Sequence, residues 1–126
     1  MKKLRGYIFS RPFMGERAPQ HVQNIILRDY CTKREHELLF AAAEYAMPDS
    51  YMILESVLAD LENIDGILFY SLFQLPTQPE KRKSIYSQVL KAGKSLHFAV
   101  EGMSISSVND AQKAEECFSI REALNQ

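Results

Sequence analysis

The sequence has few cysteines, almost no net charge and no long apolar run, and each shortage excludes a class of protein. Its 126 residues include two cysteines, Cys31 and Cys117, which we interpret as buried or half-buried thiols without a disulfide. Fifteen Lys and Arg against sixteen Asp and Glu give a net charge of −1, so no overall field would hold nucleic acid or anionic lipid. No stretch approaches the length of a membrane span, and we predict a cytoplasmic protein with no membrane partner.

The motifs of several common sites are also missing. The spacing of His21, His36 and His97 relative to the cysteines and carboxylates would not gather several ligands around one metal ion, so we predict no metal site. The glycine patterns of phosphate-binding loops and of the hydrolase nucleophile elbow are absent. We therefore predict no cofactor.

Four short apolar segments have the length and residue types of β-strands. They span residues 4–9, 37–45, 66–72 and 95–100. Apolar residues at helical spacing lie between them, and a final helix is predicted from about residue 109 to 124. Because strands alternating with helices require right-handed crossovers, residues 1–126 are predicted to form one α/β domain. Its architecture would be three-layer and doubly wound, with a mostly parallel four-stranded sheet of flavodoxin-like order.

Local signals mark helix ends and core positions. Asp49 or Ser50 would cap the second helix, Thr77 stands three residues before Glu80 at the start of the third, and Gly93 would end it. The aromatic residues of the strands carry no interleaved basic residues, so all of them are predicted to be core rather than a stacking surface for bases.

Polar side chains follow the strands at the edge where parallel strands end, which is where such sheets bind ligands. The first strand is followed by Ser10, Arg11 and Arg17, the second by Glu44 and Tyr45, the third by Ser71 and Gln74, and the fourth by Glu101. The first turn of the first helix adds Gln20, Gln23 and Asn24. This set predicts a site for a sugar or sugar phosphate.

The roles within that site follow from chemistry. Arg11 and Arg17 would hold a negative group, the amides would bond hydroxyls, and Glu44 or Glu101 would be the general base of any reaction. Arg11 and Glu44 are expected on neighbouring strands. The structural alternative is that the arginines pair with Glu44 or are solvated in a loop. No histidine or lysine is placed to activate Ser10 as a nucleophile.

Segments 6–10, 20–31, 65–72 and 93–96 together resemble the catalytic domain of the serine recombinases, the resolvases and invertases. The resemblance implies a resolvase-like fold. That family has Tyr-x-Arg-x-Ser at its first strand, a pattern that Phe9 and Ser10 break here. After its third strand it has Ser-x-x-Arg-Leu-x-Arg, and this chain has Gln74 and Thr77 at the two arginine positions. Those arginines stabilise charge on the scissile phosphate, so the departures argue against DNA cleavage and against a nucleic-acid partner.

A second resemblance is closer in its motifs. Segments 6–11, 19–24, 28–31, 44–47 and 69–73 resemble a small bacterial family found sporadically in surface-carbohydrate gene clusters. The resemblance implies a role in making or modifying a capsule, an O-antigen or a related glycan. It carries no established reaction.

Two functions therefore remain open. In the first, the protein binds, and in one version modifies, an anionic sugar-derived small molecule at the carboxyl edge of the sheet. In the second, it is a non-catalytic dimeric module with a decayed recombinase-like fold that docks on a glycan-biosynthesis enzyme. A homodimer is predicted from the fold and from Ala111 and Ala114, whose side of the last helix would fit a second copy as well as the sheet of its own chain. Whether the protein is an enzyme stays undecided.

Overall fold

The computed structural model describes residues 1–13 and 15–124, which form five strands and four α-helices. In chain order these are β1 (Lys3–Ile8), α1 (Gln20–Lys33), β2 (Glu37–Ala43), α2 (Met52–Ala59), β3 (Gly66–Phe69), α3 (Pro79–Lys91), β4 (Ser95–Phe98), β5 (Met103–Ile105) and α4 (Val108–Leu124). Short 3-10 helices at Leu61–Asn63 and Leu72–Gln74 precede and follow β3. No helix in the described part of the chain is both long and apolar enough to cross a membrane.

The sheet has the order β2-β1-β3-β4-β5, and its first four strands run parallel. This confirms the predicted α/β class and doubly wound order. The prediction of four strands is wrong, because β5 pairs antiparallel with β4 after a turn in which Gly102 has a φ of 64°. Three residues are too short to give a recognisable period in the sequence.

Helices cover both faces of the sheet, which makes the three predicted layers. On one face, Leu27, Tyr30 and Cys31 of α1 pack against Leu4 and Leu68. On the other, buried side chains of α2, α3 and α4 pack against residues of the four strands β1, β3, β4 and β5.

The alanine face of α4 does not face solvent. Ala111, Ala114 and Phe118 are all buried in the larger core of the protein. Of the two partners that the sequence allows for this face, a second copy and the sheet of the same chain, the structure shows the sheet. The alanine face therefore gives no support to a dimer, and the homodimer stays a prediction.

Strand β2 lies at one edge of the sheet, and this changes its burial. The side chain of Phe40 is 90% exposed, so the prediction that every strand aromatic belongs to the core is wrong at this position. The pairing of β1 with β2 shifts register between Arg5 and Tyr7, and Arg5 donates a hydrogen bond to the Phe40 carbonyl oxygen over 2.6 Å. Such an irregularity helps to block the pairing of a further strand at an edge.

Some helix and strand ends agree with the prediction and others differ. Strand β2 ends at Ala43 and β4 at Phe98, each two residues earlier than predicted. Gly93 has a φ of 73° just beyond α3, as predicted. Neither Asp49 nor Ser50 caps α2 with its side chain, and α3 begins after Gln78 without a side-chain cap. Strand β3 ends at Phe69, earlier than predicted, because Ser71 accepts the Phe73 amide hydrogen and starts a 3-10 turn.

Candidate functional site at the carboxyl edge of the sheet

Glu44 follows β2 and is 3% exposed, and its carboxylate is surrounded by donors. Oε1 accepts the Tyr7 hydroxyl at 2.8 Å and the Leu54 amide at 3.1 Å. Oε2 accepts the amides of Tyr45 and Ile53, each at 3.1 Å, and the Ser50 hydroxyl at 3.4 Å. Because Ile53 and Leu54 belong to the first turn of α2, Glu44 takes the place of the missing local cap and meets the positive end of the helix.

Tyr7 is the partner of Glu44 on the neighbouring strand. Burial, and then its hydrogen bond to Glu44, raise the pKa of the Tyr7 phenol well above its ordinary range. The phenol therefore stays protonated and donates its hydrogen to the carboxylate. Sequence reasoning did not select Tyr7, because a tyrosine in an apolar strand is indistinguishable from ordinary core.

Arg11 holds the segment after β2 from the other side. Its Nη1 donates to the carbonyl oxygens of Tyr45 and Met47, at 2.9 and 3.0 Å. The guanidinium carbon lies 4.2 Å from the centre of the Phe9 ring and 5.0 Å from that of Tyr51, while Nη2 is buried without a hydrogen-bond partner. Burial raises the pKa of the Tyr51 phenol, and the charge of nearby Arg11 opposes that change.

Arg11 and Glu44 follow neighbouring parallel strands, as the sequence predicted. No salt bridge between them is found among the described residues. Arg11 binds carbonyl groups of residues 45 and 47, and Glu44 binds amides of residues 45, 53 and 54. Together they fix the segment that leads from β2 into α2.

Gln23 and Gln74 contact each other directly, and both are 0% exposed. The Gln23 amide nitrogen donates to the carbonyl oxygens of Phe9 and Ala18, at 2.7 and 2.8 Å. Its oxygen accepts the Phe9 amide at 3.0 Å and the Gln74 side-chain amide at 2.9 Å. The Gln74 oxygen in turn accepts the Tyr70 amide at 3.0 Å. This pair joins the end of β1 to the turn after β3.

Ser71 and Glu101 make a third connection at the same edge. The Ser71 hydroxyl donates to Glu101 Oε2 at 2.8 Å, and the Leu72 amide donates to Oε1 at 2.8 Å. Glu101 follows β4, so its carboxylate ties that loop to the turn after β3.

The remaining predicted site residues lie towards the surface. Ser10, Arg17, Gln20 and Tyr45 are exposed and Asn24 is half-buried. Ser10 and Arg17 lie in the loop after β1, Gln20 and Asn24 in the first part of α1, and Tyr45 just after β2. The edge thus separates into a buried network and an outer group of polar side chains. The members of the network are bonded to the protein itself. The catalytic and ligand-binding roles assigned from sequence stay predictions.

Arg82 is a charged residue that sequence reasoning missed. It is buried on α3 and makes two hydrogen bonds, each of 2.8 Å, to the carboxylate of Glu115 on α4. It also donates to the carbonyl oxygens of Pro76 and Thr77, and its guanidinium carbon lies 3.8 Å from the Phe118 ring centre. A signal was present, because helical spacing places position 82 on the face that buries Ile85, Tyr86 and Val89. The lysines on both sides of position 82 made this part of the helix look exposed to solvent.

His97 lies on the face covered by α1, between two hydroxyl groups. The Tyr30 hydroxyl is 2.8 Å from Nδ1, and the Ser95 hydroxyl is 2.8 Å from Nε2. Burial first, and then the charges of Lys2, His36 and Arg34, lower the pKa of His97 to about 4. The imidazole is therefore neutral at neutral pH.

Two concave surfaces lie against the helices, and one of them also borders the carboxyl edge of the sheet, since its lining includes residues 47–51 after β2 and Pro76 after β3. The α2–α3 cleft has a volume of about 430 Å³ and is lined by residues 47–52 and by side chains of α2 and α3. The α3–α4 groove has a volume of about 1070 Å³ and is lined by side chains of those two helices. No group of three His, Cys, Asp or Glu side chains in the described ranges is placed to hold a metal ion.

Two solved structures share this fold. A resolvase family site-specific recombinase from Streptococcus pneumoniae superposes with a TM-score of 0.68 at 12% identity, over 97% of this chain and 91% of that one. The N-terminal catalytic domain of TP901-1 integrase superposes with a TM-score of 0.59 at 17% identity, over 96% of this chain and 93% of that one. At such low identity the likeness establishes the fold alone.

No family model matches the sequence, and no curated protein matches it either. The resolvase-like resemblance is confirmed at the level of the fold. The comparisons give no support to the resemblance to the carbohydrate-cluster family.

Proposed function

We propose that the protein is a non-catalytic interaction module that has a recombinase-like fold and acts as a homodimer. The observation that carries this proposal is the internal bonding of the carboxyl edge of the sheet. Glu44, Gln23, Gln74, Ser71 and Glu101 are all hydrogen-bonded to the protein itself. Groups held in this way stabilise loops and are poorly available to a substrate.

Phosphoryl transfer needs cations at the site, and the state of Gln74, Arg11 and Arg82 argues against that reaction. Such chemistry requires cations that face the reacting phosphate. Gln74 stands at one expected arginine position and is buried against Gln23. Arg11 has two carbonyl partners, and Arg82 is paired with Glu115. Each of these two arginines is thus engaged by the protein itself.

The α3–α4 groove is the surface that we assign to the second copy. Val108 and Ile120 line it and are 69% and 62% exposed. Lys83 and Lys91 stand on its α3 wall and Glu116 on its α4 wall. A twofold axis through the groove would bring the lysines of one copy towards the glutamate of the other and bury both apolar residues, which is the self-complementarity that a symmetric dimer needs.

Sedimentation velocity of the wild-type chain and of Ile120→Glu tests the dimer. The wild type should sediment as a dimer at micromolar concentration, and Ile120→Glu should be a monomer, because a charge would be buried in the apolar centre of the interface. Ile25→Glu is the matched control, since Ile25 is 55% exposed on α1 in the opposite layer. A monomeric wild type at high micromolar concentration, or equal dissociation by both variants, would contradict the proposal.

The biological setting that we propose is cytoplasmic surface-carbohydrate biosynthesis, and it rests on the sequence resemblance alone. In that setting the partner would be a glycan-biosynthesis enzyme. The competing proposal, an anionic sugar bound at the edge, would use the outer polar group of Arg17, Gln20 and Asn24. Calorimetry with sugar phosphates and nucleotide sugars separates the two, because the interaction module should bind none of them.

A further inference from the structure

The α2–α3 cleft has the size and the lining of a small-molecule site. Its volume of about 430 Å³ lies within the range usual for ligand pockets. Met47, Met52, Tyr51 and Ile85 supply apolar surface. Ser84 and Gln88 of α3 are polar lining residues, and the Gln88 amide donates a hydrogen bond to the Ser84 hydroxyl over 3.2 Å. Both methionines are more than half exposed, so their side chains are available to a ligand.

Residues of opposite charge line this cleft from different helices. Asp49 and Glu55 stand on the wall formed by α2 and the segment before it, and Lys81 stands on the α3 wall. Among the described residues, no salt bridge joins Lys81 to either carboxylate. The cleft therefore has carboxylates on its α2 wall and a lysine on its α3 wall, together with apolar lining residues.

The wall before α2 is fixed in advance of any binding. Arg11 bonds the Met47 carbonyl oxygen, and Glu44 bonds the Ser50 hydroxyl and the first amides of α2. Asp49 has a φ of 61°, a left-handed conformation that costs a non-glycine residue free energy. Because the contacts of Arg11 and Glu44 already hold this wall, it loses little conformational freedom when a ligand binds.

From these observations we propose that the cleft binds a small apolar zwitterion, such as an apolar dipeptide with free ends. The ammonium group lies by Asp49 and Glu55, the carboxylate lies by Lys81, and the apolar body packs on Met47, Met52 and Ile85. A neutral apolar molecule would leave both charged sides unused. A simple anion would meet two carboxylates.

The test uses L-phenylalanyl-L-leucine as the probe, with the chain labelled at its methionine methyl groups. In NMR titrations the signals of Met47 and Met52 should shift, and that of Met103 in β5 should not, because Met103 lies outside the cleft. Acetylating the amino end or amidating the carboxyl end of the dipeptide should each weaken binding about fivefold, as expected for one solvent-exposed charge pair.

Two lysines on the same helix give a matched pair of variants. Lys81→Gln should weaken binding of the dipeptide about fivefold, whereas Lys83→Gln should leave it unchanged, because Lys83 lines the α3–α4 groove instead. No methionine shift at millimolar dipeptide, equal binding of the blocked dipeptides, or equal loss in the two variants would each overturn the proposal. These measurements do not depend on the oligomeric state, so the dimer proposal stands or falls separately.

Discussion

Replacing Glu44 with glutamine separates a structural carboxylate from a catalytic one. Glutamine has nearly the same shape but offers only one acceptor oxygen. If that oxygen keeps Tyr7 and Leu54, the amino group of the new side chain faces the amides of Tyr45 and Ile53, and both of these lose their acceptor. The negative charge at the start of α2 is lost as well. If Glu44 is only a general base, Glu44→Gln should leave the free energy of unfolding nearly unchanged. If Glu44 caps α2, the free energy of unfolding should fall.

The size of the effect follows from those contacts. Two amides left without an acceptor cost about 1 kcal/mol each, at the lower end of the usual range because both are only partly buried. The lost interaction between the charge and the helix adds about 1 kcal/mol. The free energy of unfolding should therefore fall by about 3 kcal/mol, which at about 4 °C per kcal/mol lowers the melting temperature by about 12 °C.

Thermal melts followed by circular dichroism measure this difference. Glu55→Gln is the control, because Glu55 is an exposed residue in the first turn of the same helix and bonds none of its amides. The melting temperature of this variant should fall by about 2 °C. Arg11→Ala combined with Glu44→Gln should cost less than the two separate losses added together, since both residues hold the same segment. If Glu44→Gln melts with the wild type, the capping role is refuted.

Three further predictions concern other parts of the molecule. Arg82→Leu should lower the free energy of unfolding by about 3 kcal/mol in urea titrations, because it leaves the half-buried Glu115 carboxylate without its cation and with only the Tyr86 hydroxyl as a bonded partner. Arg82→Leu with Glu115→Leu should recover part of that loss. The pKa of His97 falls on folding from 6.5 to about 4. The unfolded chain therefore binds the proton first as the solution is acidified, so stability should drop by about 3 kcal/mol between about pH 6.5 and 4, and His97→Gln should remove most of that slope. Incubation with duplex DNA should yield no covalent adduct at Ser10 on denaturing gels, because Gln74 and Thr77 supply no cation; one phosphoserine-linked adduct would contradict this.

The order of strands and helices was predictable because each strand except β5 is an apolar run and each α-helix has apolar residues at helical spacing. Strand β5 was missed because three residues show no period. Phe40 was misplaced for a different reason. An edge strand and a central strand have similar sequences, and only the strand order shows that β2, which carries Phe40, lies at the edge of the sheet.

The candidate site was predictable as a location but not as a set of contacts. Sequence reasoning placed Gln23 and Gln74 at one edge, although 51 residues separate them. It could not show that they face each other, because that depends on the exact height of α1 above the sheet. Glu44 was likewise placed at this edge, as a candidate general base. Its role as the cap of α2 was hidden, since Asp49 and Ser50 stand closer in sequence and fit the usual pattern.

The carboxyl edge of this sheet combines two properties that usually conflict. Polar side chains at the ends of parallel strands are typical of ligand sites, yet burial of polar groups is tolerated only when they are hydrogen-bonded. Here three side-chain connections, centred on Glu44, on Gln23 with Gln74, and on Ser71 with Glu101, supply those bonds from within the chain. Apart from Arg11 Nη2, which is buried without a partner, these polar groups are satisfied without a ligand. Our two proposals use the concave surfaces beside this network, the α2–α3 cleft and the α3–α4 groove.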